Sequence, residues 1–197
     1  MRRKPAFLFL ILTGLVMAPT AAGAPPPSPL NAVREWDMKI RAILERPATK
    51  KTERETRLKA VVSPLLDYET HTRESLGGDW NRMTAAERSS ATQAITVVLE
   101  RSSIEKVRHF VSQKVEYLSE EFDRADPETA SVRTRVQNKR EVVYRMRWAD
   151  GRWRIFDIVI EGASSVESNR AAFSKEIKSS GIAGLLEKLR KKANEKP

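Results

Sequence analysis

The chain has 197 residues, of which 40% are apolar and 31% charged, and a formal net charge of +10. That balance is globular rather than disordered, and the length suits one ordinary domain with a core of useful size. There is no cysteine, which excludes disulfides, thiolate metal sites and a lipoprotein anchor at a cysteine.

In chain order, "MRRKPAFLFLILTGLVMAPTAAGAPPP" has the form of a secretory signal peptide. Arg2, Arg3 and Lys4 precede a short apolar run from Ala6 to Ala18, and small residues follow. The expected signal peptide is residues 1–23, cleaved after Ala22 or Gly23, and it directs export of the mature protein. The apolar run is too short to span a bilayer comfortably. Loss of those three cations lowers the net charge from +10 to about +7. A basic surface suits nucleic acid, an anionic membrane or an acidic partner. Export argues against nucleic acid.

Residues 24–30 read as a Pro-rich extended linker, residues 31–192 as a single domain, and residues 193–197 as a basic tail. Val33, Trp36, Ile40 and Ile43 are spaced for a helix that Pro47 ends. Thr52 and Glu55 form a capping box ahead of Leu58, Val61, Val62 and Leu65, with Pro64 interrupting. "LDYETHTRESLGG" continues in helical turns and stops at Gly77-Gly78. A second capping box, Thr84 and Glu87, opens a helix that runs to about residue 112 or breaks near Ser102-Ser103.

The period then changes to two. "VEYLSEEFD", "ASVRTRVQ", "EVVYRMRW" and "GRWRIFDIVIE" are four strand-like runs joined by turns. After Gly162, Ser164 and Glu167 cap a helix, Gly181 breaks it, and Ile182, Leu185, Leu186 and Leu189 mark a last amphipathic stretch. Helices, an antiparallel meander, then helices imply an α+β fold with the helices on one face of a four-stranded sheet.

Asp150-Gly151 is a two-residue hairpin signal. It predicts that Trp148 faces Trp153, Met146 faces Ile155, Tyr144 faces Asp157 and Val142 faces Val159. Asp157 is then the only charge on an apolar face. Its expected partners are the Tyr144 hydroxyl, the helix start at Ser164–Val166, and Arg170. The preferred role is a structural clasp of Asp157, Ser164 and Arg170 between strand and helix, ahead of direct recognition of a ligand.

"LGGDWNRMTAAER" (76–88), "RWRIFDIVIEGASSVESNRAAF" (152–173) and "GIAGLLEKLRKK" (181–192) resemble the MlaC family of periplasmic phospholipid-binding proteins. Matching elements are Leu-Gly-x-x-Trp…Thr-x-x-x-Arg, a Trp-x-Ile-Tyr-Asp block with Glu-Gly, Ser and Asn-x-Arg, and a Gly-x-x-Gly-Leu-Leu ending. Phe156 stands in place of the usual Tyr, Ala163 in place of a common Val, and "LERSSIEKV" puts small polar residues where Tyr or Leu is usual. The resemblance implies a soluble shuttle that holds lipid tails in an apolar cavity between sheet and helices. It would carry phospholipid between an outer-membrane complex and an MCE-type subunit of an inner-membrane ABC transporter, without a cofactor. The expected wall is drawn from Val132, Val136, Tyr144, Met146, Trp148, Trp153 and Ile155. Read without the family, the same face is simply core. A carrier of another lipid, such as a hopanoid, and a periplasmic adaptor without lipid stay open.

No catalytic or metal constellation competes with a binding role. His71 and His109 have no triad or ligand spacing and are expected on solvated helix faces. Ser164-Ser165 lacks an elbow motif and suits helix capping. Asp67 and Asp79 have no obvious paired acid.

Overall fold

The computed structural model describes residues 26–46, 51–108 and 113–195. The signal peptide, Pro47 and His109 lie outside the described residues. The chain order is α1 (Pro29–Leu44), α2 (Lys51–Val62), a 3₁₀ turn (Ser63–Leu65), α3 (Tyr68–Leu76), α4 (Asp79–Arg82) and α5 (Ala85–Arg108). Strands β1 (Val115–Phe122), β2 (Thr129–Val136), β3 (Arg140–Ala149), β4 (Arg152–Ile160) and β5 (Ala163–Ser164) follow, then α6 (Ser165–Asn194). The sheet is antiparallel in the order β1-β2-β3-β4-β5, so the expected α+β meander gains a fifth, two-residue strand.

Several helix ends follow the expected chemistry. Thr84 and Glu87 form the reciprocal capping box: Thr84 N donates to Glu87 Oε2 at 2.8 Å, and Glu87 N donates to Thr84 Oγ1 at 3.2 Å. Helix α5 then runs unbroken through Ser102-Ser103 to Arg108. The Thr52 box does not form. Helix α2 already includes Lys51, and Glu55 pairs instead with Arg108. The Pro-rich segment is not all linker. Ser28 caps α1 with Pro29 at its first turn, where a proline lacking an N–H is best tolerated. Glu120 of β1 accepts from Ser28 Oγ at 2.6 Å and Leu30 N at 2.9 Å, which ties that helix start to the sheet. At the other end, the tail begins as helix, because α6 reaches Asn194.

The β3–β4 hairpin turns on Asp150 and Gly151, both at positive φ. Trp148 pairs with Trp153 and Met146 with Ile155, as the turn predicts. A β-bulge then inserts Phe156 on β4, and every later pair shifts by one. Tyr144 therefore faces Ile158, Val142 faces Ile160, and Asp157 faces Arg145. The shift corrects the expected Tyr144–Asp157 and Val142–Val159 pairs. It returns Ile158 and Ile160 to the side of Tyr144 and takes Asp157 off that side.

Two apolar clusters result. One joins α3, α5 and α6 through Leu76, Ala91, Ile95, Phe173, Leu185 and Leu189. The other joins α1 to the sheet through Val33, Val132, Met146, Trp153 and Ile155. Among the described residues no helix is long and apolar enough to cross a membrane.

Candidate functional site

Between the clusters lies a cavity of about 390 Å³. Its walls are Val33, Trp36 and Ile40 of α1, Val62 of α2, Leu65 and Leu66 after it, Leu99 and Val107 of α5, and Val142, Tyr144, Ile155, Ile158 and Ile160 of the sheet. Apolar side chains dominate. Polar groups stand at particular points: Asp37 and Tyr117 on one side, Ser102, Ser103 and Lys106 of α5 on another, and His71, Asp157, Ser164 and Ser165 at a third.

Of the seven expected wall residues, Tyr144 and Ile155 line the cavity. Val132, Met146 and Trp153 are packed in the sheet cluster, and Trp148 lies edge-on to Trp153 at 5.5 Å. Trp153 Nε1 also donates to the Pro27 carbonyl at 2.6 Å. Val136 is buried but does not line the cavity. The tryptophan end of the hairpin is thus solid core. The hollow sits at the other end, where the bulge has turned Ile158 and Ile160 inward. Sequence reasoning missed these two, together with Trp36, Ile40 and Leu99 from the helices.

The bulge also organises the polar corner. Asp67 N donates to the Ile155 carbonyl at 2.8 Å. His71 Nδ1–H donates to the Phe156 carbonyl at 2.8 Å, and Asn169 Nδ2 donates to His71 Nε2 at 3.0 Å. His71 is 4% exposed, not on a solvated face as expected. Burial pushes its pKa down, against the partial opposition of the Phe156 carbonyl and the Asp157 charge. Both ring nitrogens are engaged, so the imidazole joins α3, β4 and α6 and offers no free base.

Asp157 is 1% exposed. Its Oδ1 accepts from Ser165 Oγ at 2.7 Å and Val166 N at 3.0 Å. Its Oδ2 accepts from Ser164 Oγ at 2.7 Å and Arg145 at 3.3 Å. Burial alone would raise its pKa. The bonds from Ser165, Ser164 and Val166 N, with the Arg145 charge, outweigh that and hold it below its ordinary value. Ser164 also caps α6 by accepting from Glu167 N at 3.0 Å. Two of the anticipated partners are elsewhere. Tyr144 faces Ile158, and Arg170 donates to the Glu74 carbonyl at 2.9 and 2.7 Å, binding α6 to α3.

On the α1 side, the Tyr117 hydroxyl donates to Asp37 Oδ2 at 2.6 Å, and Arg41 Nε lies 3.0 and 2.9 Å from the two Asp37 oxygens. Burial and the Asp37 carboxylate raise the Tyr117 pKa, and burial pushes Tyr144 up to about 12. Both phenols stay neutral at physiological pH. The arrangement has the shape and lining to enclose an apolar guest.

The family model described as "MlaC protein" matches residues 36–191, most of the chain. The chain belongs to the MlaC family. A solved structure, the phospholipid-binding protein from Ralstonia solanacearum in complex with a phospholipid, superposes with a TM-score of 0.71. The two are 19% identical, and the match covers 85% of this chain and 97% of that one. No curated protein matches this chain.

Proposed function

We propose that this MlaC-family protein is a periplasmic lipid-binding shuttle. It carries phospholipid between an outer-membrane complex and an MCE-type subunit of an inner-membrane ABC transporter. The observation that carries this reading is the cavity of about 390 Å³ between the two apolar clusters. The solved structure with the same fold holds a phospholipid, which supports that class of guest. An acyl chain in water costs about 0.8 kcal/mol per methylene, so a carrier that crosses an aqueous space must enclose the chain. A wall of Ile155, Ile158, Ile160, Leu66 and Leu99 does so without demanding a particular headgroup. The polar corner at Asp157 serves as a clasp that fixes the cavity floor, because its oxygens are already satisfied.

The test is extraction and mass spectrometry of lipid from the natively purified protein, with Ile158→Trp as a cavity-filling variant. Phospholipid is expected in the parent and a large loss of it in the folded variant. A triterpenoid in its place would mark a carrier of another lipid. Absence of any lipid, even after incubation with membranes, would leave a protein-binding adaptor.

A further inference from the structure

A second hollow of about 150 Å³ lies between α5 and the two arms of α6. Ile95, Val98 and Leu99 line it from α5, and Phe173, Leu185 and Leu189 from α6. Leu99 lines both this hollow and the main cavity. One flexible aliphatic side chain thus stands at their shared wall, and a rotamer change would alter the opening between them.

The hollow depends on a break in α6. Gly181 has φ 72° and ψ 179°, so the helix bends there and both arms face α5. Lys188 pairs with Glu176 across the bend, and Ser180 Oγ donates to Glu176 Oε1 at 2.7 Å. Glu176 and Lys188, with Asn169 and Lys192, form the polar part of the hollow's lining, whereas Ile95 and Leu185 on its apolar part are 3% and 1% exposed. Apolar walls such as those of Ile95, Val98, Phe173 and Leu185 cost stability when nothing packs against them. The main cavity is near the lower end of the roughly 300–1,000 Å³ that enclose drug-sized ligands, and a two-tailed lipid is larger than those.

We propose that the second hollow is an acyl-chain compartment entered past Leu99. It receives the end of a fatty-acyl chain when the rest of a lipid occupies the main cavity. The inference rests on the lipid-carrier reading and adds a site that selects chain length and number.

The experiment loads delipidated protein from vesicles that mix short-chain diacyl, long-chain diacyl and lyso phosphatidylethanolamine. Native mass spectrometry then counts the bound species. Val98→Phe fills the hollow without touching the lining of the main cavity. It should shift the long-chain diacyl to lyso ratio down by about tenfold, as expected when roughly two methylenes lose their burial. Leu99→Ala widens the opening and should shift the ratio the other way. Val98→Leu gives a smaller shift in the first direction and carries the test if Val98→Phe does not fold. Folded variants that select chains as the parent does overturn the second compartment alone. A parent protein that takes up no lipid overturns the carrier reading with it.

Discussion

Asp157 shows why a carboxylate is tolerated within an apolar strand. A buried charge is costly unless it is paired and hydrogen-bonded. Two serine hydroxyls, one helix N-terminal N–H and Arg145 meet that need. Asp157→Asn removes the charge and turns one acceptor into a donor facing Ser164 or Ser165. Denaturant unfolding should show a loss of about 1–3 kcal/mol, with the bound lipid profile unchanged. Unaltered stability with a changed headgroup profile would instead make Asp157 a recognition residue. His71 adds a pH dependence whose sign follows from its lowered pKa. The unfolded chain binds a proton near pH 6.5 that the native state resists. This contribution to stability is full above that pH and is lost as pH falls toward the folded value. His71→Gln keeps a side-chain donor and does not titrate. Its melting temperature should therefore fall less than the parent's between pH 7.5 and 5.5, in a range where the depressed Asp157 stays ionised. Parallel melting curves for the two proteins would count against the assignment.

Elements, more than single residues, decided what could be read from the sequence. The Thr84–Glu87 box, the Ser164 cap and the Asp150-Gly151 hairpin are local chemistry, and each stands where its motif placed it. The bulge at Phe156 is not local chemistry. It is fixed by partners from afar, because Asp67 and His71 of the α3 end take the carbonyls of Ile155 and Phe156. Nothing in the alternation of "RWRIFDIVI" announces it, and counting from the turn put Asp157 on the wrong side. The cavity wall inherited that error: the tryptophans were expected to line it, while Ile158 and Ile160 do. The α6 bend was legible at Gly181, but its tightness was not. A Cβ on Gly184 would collide with the Ser180 side chain. Gly184→Ala should therefore destabilise the protein by about 1–3 kcal/mol, the usual cost of overpacking. Ser180→Gly in the same chain should recover part of the loss relieved at that contact. A double variant no more stable than Gly184→Ala would show that the collision is relaxed some other way.

At the scale of the whole molecule, the helical cluster and the sheet cluster meet along a hollow. A bound lipid then completes the core, and a ligand that binds only the native state stabilises it by mass action, about 2.7 kcal/mol at a hundredfold excess over Kd. Delipidation should lower the melting temperature, and reloading from phospholipid vesicles should restore it. On the proposed shuttle reading, the basic surface would act at a different step. Lys178 and Lys191 line neither hollow, and long-range attraction raises association rates more than it holds a buried tail. Lys178 and Lys191 on α6 are exposed and make no ion pair among the described residues. Truncation at residue 190 is a poorer probe, because Arg190 donates to Ser90 and Arg101 donates to the Lys192 carbonyl, so it would strip contacts that hold α6 to α5. Lys178→Glu with Lys191→Glu reverses charge and leaves those contacts in place. Stopped-flow lipid transfer to anionic vesicles should slow severalfold, and the difference from the parent should shrink as salt screens both proteins. Lipid retained through gel filtration should be the same. If retention falls while the transfer rate per loaded molecule holds, these lysines support the binding site and docking lies on another face.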